Sequence, residues 1–138
     1  MSEQKKVEFI QMESGFEFPP SSYEMDADMV SIYCRAVEET SALFNSDVVP
    51  PTVAFAYAIA AMADAMVPAP GTIHVSQEIE FLDVIKVGDM LTSCAKVSRK
   101  QERGKLRILS VDIKIHNQEG KAVLTGKTGL ILPQPEQD

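Results

Sequence analysis

Glu39 and His74 are two residues of this sequence that could carry acid–base chemistry. Carboxylate and imidazole groups are those that enzymes use most often to take up or release a proton. Glu39 ends a predicted helix, where the helix dipole disfavours carboxylates, and His74 lies near the start of a predicted strand. Each also has a structural interpretation, Glu39 as a solvated helix end and His74 as a surface histidine. A β-bulge would turn His74 toward the helix side of the sheet.

Gln77 interrupts an otherwise apolar row on the strand that carries His74. Ile73, Val75, Ile79 and Phe81 form the rest of this row, and His74 belongs to the opposite, polar row. A buried amide needs hydrogen-bond partners. Gln77 is therefore either satisfied by backbone groups or lines a ligand channel.

The composition predicts a soluble globular protein with a single domain over residues 1–138. The chain carries a formal net charge of −7, which argues against non-specific nucleic-acid binding and against an anionic membrane surface. The N-terminal stretch lacks the apolar core of a signal peptide, and Cys34 and Cys94 belong to no CxxC or Cys/His cluster. We expect a cytoplasmic protein with reduced thiols, no metal and no resident cofactor, and with tails at residues 1–14 and 134–138.

A central helix is predicted over residues 50–66, PPTVAFAYAIAAMADAM. Two prolines suit a helix start, and no charge follows until Asp64. Phe55, Ile59, Met62 and Met66 form one apolar stripe, and the other faces are mostly alanine, which predicts a helix buried on all sides.

The flanking segments predict what packs against this helix. Residues 28–39 have the spacing of an amphipathic helix with Asp26 or Asp28 as N-cap. Its apolar stripe consists of Met29, Ile32, Tyr33, Ala36 and Val37. Phe16 and Phe18 predict a short strand. After Gly71 the apolar period is two, with a strand around 91–97 that ends in the polar run 98–104, and further strands near 109–115 and 122–132. A curved antiparallel sheet around a long central helix is the α+β hotdog fold. Its unpaired edge predicts a homodimer or a heteromer with a second hotdog subunit.

The sequence resembles a known family over residues 15–133. The stretch HVSQEIEFLDVIKVGDML (74–91), the loop 117–120 and LTGKTGLILP (124–133) are similar to the MaoC-like acyl dehydratases, which include the (R)-specific enoyl-CoA hydratases. VPPTVAFA (49–56) resembles the FAS1-like dehydratase branch. The resemblance implies addition of water to an enoyl thioester, or the reverse, with an acyl-CoA or acyl carrier protein thioester as ligand.

The resemblance also implies that the usual catalytic pair is missing. Relatives activate water with the Asp and His of a D-x-N-P-x-H segment before the helix. Here Glu39 matches the aspartate, Ser41 the asparagine and Phe44 the histidine, and Ala54-Phe55 replaces an H-G pair. Because phenylalanine cannot transfer a proton, the segment resembles that of the non-catalytic subunits of heteromeric dehydratases.

Three functions stay open at this point. They are a thioester-binding subunit, an active hydratase that uses Glu39 and His74, and a hotdog acyl-CoA thioesterase. The predicted substrate-binding residues are Ser41, Phe44, Thr52, Phe55, Ile59, Gln77 and Gly88. Of these, Phe55, Ile59 and Gln77 would line an apolar tunnel together with Met62.

Overall fold

The computed structural model describes residues 6–37, 47–67 and 70–133. The elements in chain order are β1 (Ser21–Glu24), α1 (Ala27–Ala36), β2 (Val48–Val49), α2 (Pro51–Ala65), β3 (Ile73–Phe81), β4 (Ile85–Lys86), β5 (Met90–Arg103), β6 (Leu106–His116) and β7 (Ala122–Pro133). Five strands form one antiparallel sheet in the order β1-β5-β6-β7-β3, and β2 pairs with β4. With α2 packed on the sheet, this is the predicted hotdog fold.

Helix α2 begins at the two prolines, as the sequence predicts, with Pro50 as N-cap. Its buried residues face the inner side of the sheet, and they are Val53, Ala54, Phe55, Ala58 and Met62. The prediction of a helix buried on all sides is wrong for the protomer, because Ala56, Ala60 and Ala63 are exposed. The sheet covers one side of α2, and these three alanines lie on the other.

Helix α1 is capped by Asp26, whose side chain accepts a hydrogen bond of 2.8 Å from the backbone nitrogen of Met29. The helix ends at Ala36, before the predicted end at residue 39. Val30 is its buried residue, and Ile32 is exposed although it belongs to the predicted apolar stripe. The stripe that packs on the core is therefore shifted, and includes Met29, Tyr33 and Cys34.

A β-bulge in β3 changes which residues face the helix. The register against β7 shifts between His74 and Ser76, so that His74 lies opposite Leu130 and Gln77 lies opposite Thr128. Residues directly opposite one another project to the same face, and both Leu130 and Thr128 are buried on the inner face. His74 and Gln77 consequently share the inner face, and the predicted strict alternation along this strand is wrong.

Strand β5 is longer than predicted, also because of a bulge. The register shifts between Val97 and Arg99, and pairing with β6 then continues to Arg103 opposite Leu106. The polar run 98–104 is therefore mostly strand, and Gly104, with φ of 58°, occupies the two-residue turn. Lys100 in this run is covered by the N-terminal segment, and its ammonium group donates a hydrogen bond to the carbonyl oxygen of Phe9.

The N-terminal segments also differ from the prediction. Residues 6–14, expected as part of a tail, include a 3-10 turn at Phe9–Gln11, and Val7 and Met12 are buried. Glu17 forms an isolated bridge with Lys96, and the regular strand β1 starts only after Pro19 and Pro20.

Candidate functional site

Two phenol hydroxyl groups hold the first turn of α2. The Tyr33 hydroxyl, from α1, lies 2.7 Å from the Thr52 hydroxyl. The Tyr23 hydroxyl, from β1, donates a hydrogen bond of 3.0 Å to the carbonyl oxygen of Ala54. A β-strand and a helix therefore fix the position of the turn that contains Thr52 and Ala54.

Tyr23 is a permanent donor in this arrangement. Burial raises the pKa of Tyr23 to about 12, although a side-chain hydrogen bond with Ser93 acts in the opposite direction. The ring of Tyr57 lies 5.9 Å from that of Tyr23, so α2 and β1 also meet through two aromatic rings. At neutral pH the phenol keeps its proton and its bond to Ala54.

The start of α2 leaves few backbone N–H groups for a ligand, because Pro50 and Pro51 have none and the Val53 N–H is bonded to the carbonyl oxygen of Pro50. The first turn of a helix has N–H groups without an intrahelical acceptor, and Thr52 is exposed there. Such N–H groups can polarise a carbonyl oxygen. Substrate binding by Thr52 stays a prediction.

The predicted tunnel residues on α2 pack as core residues in the protomer. Phe55 is 2% exposed and Met62 is 5% exposed, while Ile59 is partly buried. A cavity beside Met62 and Ala58 has a volume of about 20 Å³, which is room for a single water molecule. An acyl chain would need these side chains to move.

His74 and Gln77 lie on the inner face but at the open edge of the sheet. Both are exposed, so Gln77 is not the buried amide that the apolar row predicts. His74 is level with Leu130, four residues along β7 from Gly126. At about 3.3 Å per residue, this places His74 roughly 13 Å along the sheet from the level of Phe55, which packs on Gly126.

Gly88 lies in the turn between β4 and β5, with φ of 96°. Its N–H donates to the carbonyl oxygen of Met25 over 2.8 Å, which ties the turn to the start of α1. Gly88 therefore has a structural role, and its contact with substrate stays a prediction.

The segment that matches the catalytic motif lies outside the described residues. Glu39, Ser41 and Phe44 all fall within residues 38–46. In the part that the structure describes, no group of three or more His, Cys, Asp or Glu side chains could hold a metal ion. Nor does any helix there have the length and apolarity to cross a membrane.

The sequence reasoning missed Tyr23 and Tyr33 as residues of this site. The sequence contained one signal for Tyr33, because this residue belongs to the apolar stripe of α1 that was expected to pack against the central helix. Tyr23 gave no comparable signal, because its contact depends on the pairing of β1 with β5.

Comparison with known proteins identifies the family. The model of the FAS1-like, dehydratase domain region matches residues 13–126. The chain belongs to this family. The match spans both helices, the turn with Gly88 and most of the sheet of this FAS1-like dehydratase-region protein. No curated protein matches the sequence significantly.

Solved structures similar to this FAS1-like dehydratase-region protein confirm the hotdog fold. The (R)-hydratase from A. caviae involved in PHA biosynthesis is 22% identical with a TM-score of 0.73, over 88% of this chain and 97% of that one. R-hydratase PhaJ1 from Pseudomonas aeruginosa is 21% identical with a TM-score of 0.72, over 91% and 85%. The HadBC (3R-hydroxyacyl-ACP dehydratase) complex from Mycobacterium tuberculosis is 19% identical with a TM-score of 0.69, over 86% and 96%.

Proposed function

We propose that this protein is a substrate-binding hotdog subunit of the MaoC-like dehydratase and hydratase type, which binds an acyl-CoA or acyl carrier protein thioester and has little or no turnover alone. The observation that carries the proposal is Phe44 at the position of the water-activating histidine. The start of α2 supports it, because the bonds to the first turn come from the hydroxyls of Tyr23 and Tyr33. These hydrogen-bonded phenol groups position the turn and do not replace the missing imidazole.

The free edge of β3 supports a role as a subunit. β3 ends the five-stranded sheet, and its apolar residues Ile73, Val75 and Phe81 are each at least half exposed. A long apolar edge strand is a liability unless another chain covers it. A second hotdog subunit that pairs with β3 would extend the sheet, and the HadBC neighbour is itself a complex of hotdog type.

One observation favours the second candidate, an active hydratase that uses Glu39 and His74. The bulge in β3 turns His74 to the inner face. Gln77 is the midpoint of β3, Ile73–Phe81. If the β3 strands of two copies paired antiparallel with the two Gln77 residues opposite each other, His74 of the partner subunit would lie beside residues 79–80 of this strand. That end of β3 lies opposite Gly126, beside Phe55 in the first turns of α2.

Hydration of crotonyl-CoA by the purified chain separates the two candidates. The substrate-binding subunit should hydrate crotonyl-CoA at or near the uncatalysed rate. The double variant Glu39→Asp/Phe44→His, which restores the family's pair, should gain activity. Turnover of crotonyl-CoA by the unmodified chain at an ordinary enzyme rate, on the order of 10 per second, would overturn the proposal. If that activity were lost in His74→Ala, it would belong to the second candidate.

A further inference from the structure

The inner face of the sheet becomes charged where α2 ends. After the bulge in β5, Lys100 lies opposite Leu109, and Glu102 lies opposite Arg107. Arg107 also lies opposite Leu132 on β7. Since Leu109 and Leu132 are buried core residues, Lys100, Glu102 and Arg107 project to the same face as the core. Apolar residues would be expected on this face, so three charged ones need an explanation.

The N-terminal turn forms the wall opposite these strands. Val7 bridges to Met66 just after α2, and the turn Phe9–Gln11 follows. The Lys100 ammonium lies 4.2 Å and the Arg107 guanidinium carbon 4.3 Å from the centre of the Phe9 ring. Lys100 is also bonded to the Phe9 carbonyl oxygen over 2.9 Å and to Glu13 over 3.1 Å. The ammonium group of Lys100 therefore binds the N-terminal segment to the sheet.

Arg107 is held in place but keeps most of its donors. One terminal nitrogen donates to the carbonyl oxygen of Pro133. Its Nε is buried and has no hydrogen-bond partner among the described residues, and no carboxylate of that part of the chain forms an ion pair with it. A guanidinium has five N–H donors in a planar fork. The cation–π contact with Phe9 helps to hold the guanidinium in place and satisfies none of these donors.

A surface cavity opens beside this guanidinium. Its volume is about 560 Å³, and it is lined by Phe9, Ile10, Glu13, Lys100, Glu102 and Arg107. That volume is in the range of small-molecule sites. Ile10 is 75% exposed and, with the Phe9 ring, gives the cavity an apolar wall. The cavity therefore combines an oriented cation with apolar surface.

We propose that this cavity binds a small organic monocarboxylate with a short apolar body, whose carboxylate pairs with Arg107. The planar fork of Arg107 matches a carboxylate in a two-point hydrogen-bonded pair. Glu102 in the same wall, which forms no ion pair among the described residues, repels a dianionic phosphate more strongly than a monoanion. Phe9 and Ile10 receive the apolar body. The site lies at the C-terminal end of α2, opposite the turn that carries Thr52, and does not depend on the proposed thioester function.

Titration with sodium hexanoate, followed by amide NMR shifts, tests this site. Hexanoate should move the signals of residues 9–13 and 106–108. Arg107→Gln should weaken binding about tenfold or more, because it removes a charged hydrogen-bonded pair. Arg99→Gln removes the same charge from an exposed position on β5 and should leave binding unchanged. Arg107→Lys, which keeps the charge but loses the fork, should weaken binding as well.

Further ligands and one surface variant complete the test. Hexan-1-ol should bind more weakly than hexanoate, and inorganic phosphate should move these signals less. Glu102→Gln, at an exposed residue, should tighten hexanoate binding even if the arginine variants fail to fold. The proposal is overturned if hexanoate moves none of these signals, or if phosphate or hexan-1-ol binds as well as hexanoate. It is also overturned if Arg107→Gln and Arg99→Gln bind hexanoate equally well, or if Glu102→Gln binds hexanoate no more tightly than the wild type.

Discussion

A side-chain carbon added at Gly126 would lie 2.5 Å from Cε2 of Phe55. The absence of a side chain in the middle of β7 therefore makes room for the aromatic ring from the first turns of α2. Because Gly126 also lies opposite Ile79 of β3 and Ile113 of β6, this contact sets how closely the helix approaches the centre of the sheet. Phe55 is thereby a packing residue in the protomer, whatever it contacts in a complex.

Gly126→Ala should lower the free energy of unfolding by about 1–3 kcal/mol, the usual effect of an extra carbon in a filled core. In a Phe55→Leu background the same change should cost less, because the ring atoms that it would meet are gone. Urea denaturation of the four proteins measures this coupling. Equal effects of Gly126→Ala in the two backgrounds would show that Phe55 does not fill the space above Gly126.

Tyr23→Phe should lower the free energy of unfolding by about 1 kcal/mol at neutral pH, because it removes the hydrogen bond to Ala54 and leaves that carbonyl without its phenol partner. Urea denaturation of the wild type and the variant measures the difference. Ser22→Ala, at an exposed neighbour on β1, is the control and should have a smaller effect. Equal losses in the two variants would contradict a role for the phenol.

The advantage of the wild type over Tyr23→Phe should also disappear in alkali. The pKa of Tyr23 is about 12 in the folded protein and 10.0 in the reference state, so the folded state holds the proton more tightly. The phenol's contribution is complete below the unfolded value and is lost as pH rises through the folded one. Melting temperatures at increasing pH should converge above pH 10, and a constant difference would refute the raised pKa.

The double variant Ile73→Lys/Val75→Lys should convert an assembled protein into a monomer of about the 15.2 kDa chain mass. Both residues are exposed and lie on β3, the last strand of the sheet. Lysines there should leave the fold intact and prevent another chain from pairing with the outer edge of β3. Light scattering at micromolar concentration measures the mass. Leu106→Lys changes a similarly exposed apolar residue at the start of β6 and should leave the assembly intact. A monomeric wild type would contradict the prediction.

The sequence predicts the elements of this fold well where the pattern is local. Pro50 and Pro51 mark the start of α2, and the change of apolar period after Gly71 marks the sheet. The faces of β3 and the end of β5 could not be predicted in this way. Each depends on a bulge, and a bulge shifts the apolar period by one residue without a composition signal of its own.

The site is predictable only in part, for a different reason. Thr52 and Gly88 lie at turns that the sequence marks with proline and glycine, and the structure places them there. The partners of the first turn of α2 come from Tyr23 and Tyr33, which are distant in sequence. Exposure of Gln77 follows from the position of β3 at the edge of the sheet, which depends on strand order and not on the residue pattern.

The melting temperature of the purified chain with octanoyl-CoA, compared with free CoA, tests the central claim of thioester binding most directly. A ligand that binds only the folded state stabilises it by about 2.7 kcal/mol at a hundredfold excess over Kd. For a domain of this size that is a rise of several degrees. We predict this rise with octanoyl-CoA and a smaller one with free CoA. No rise with acyl-CoAs of any chain length would contradict the account.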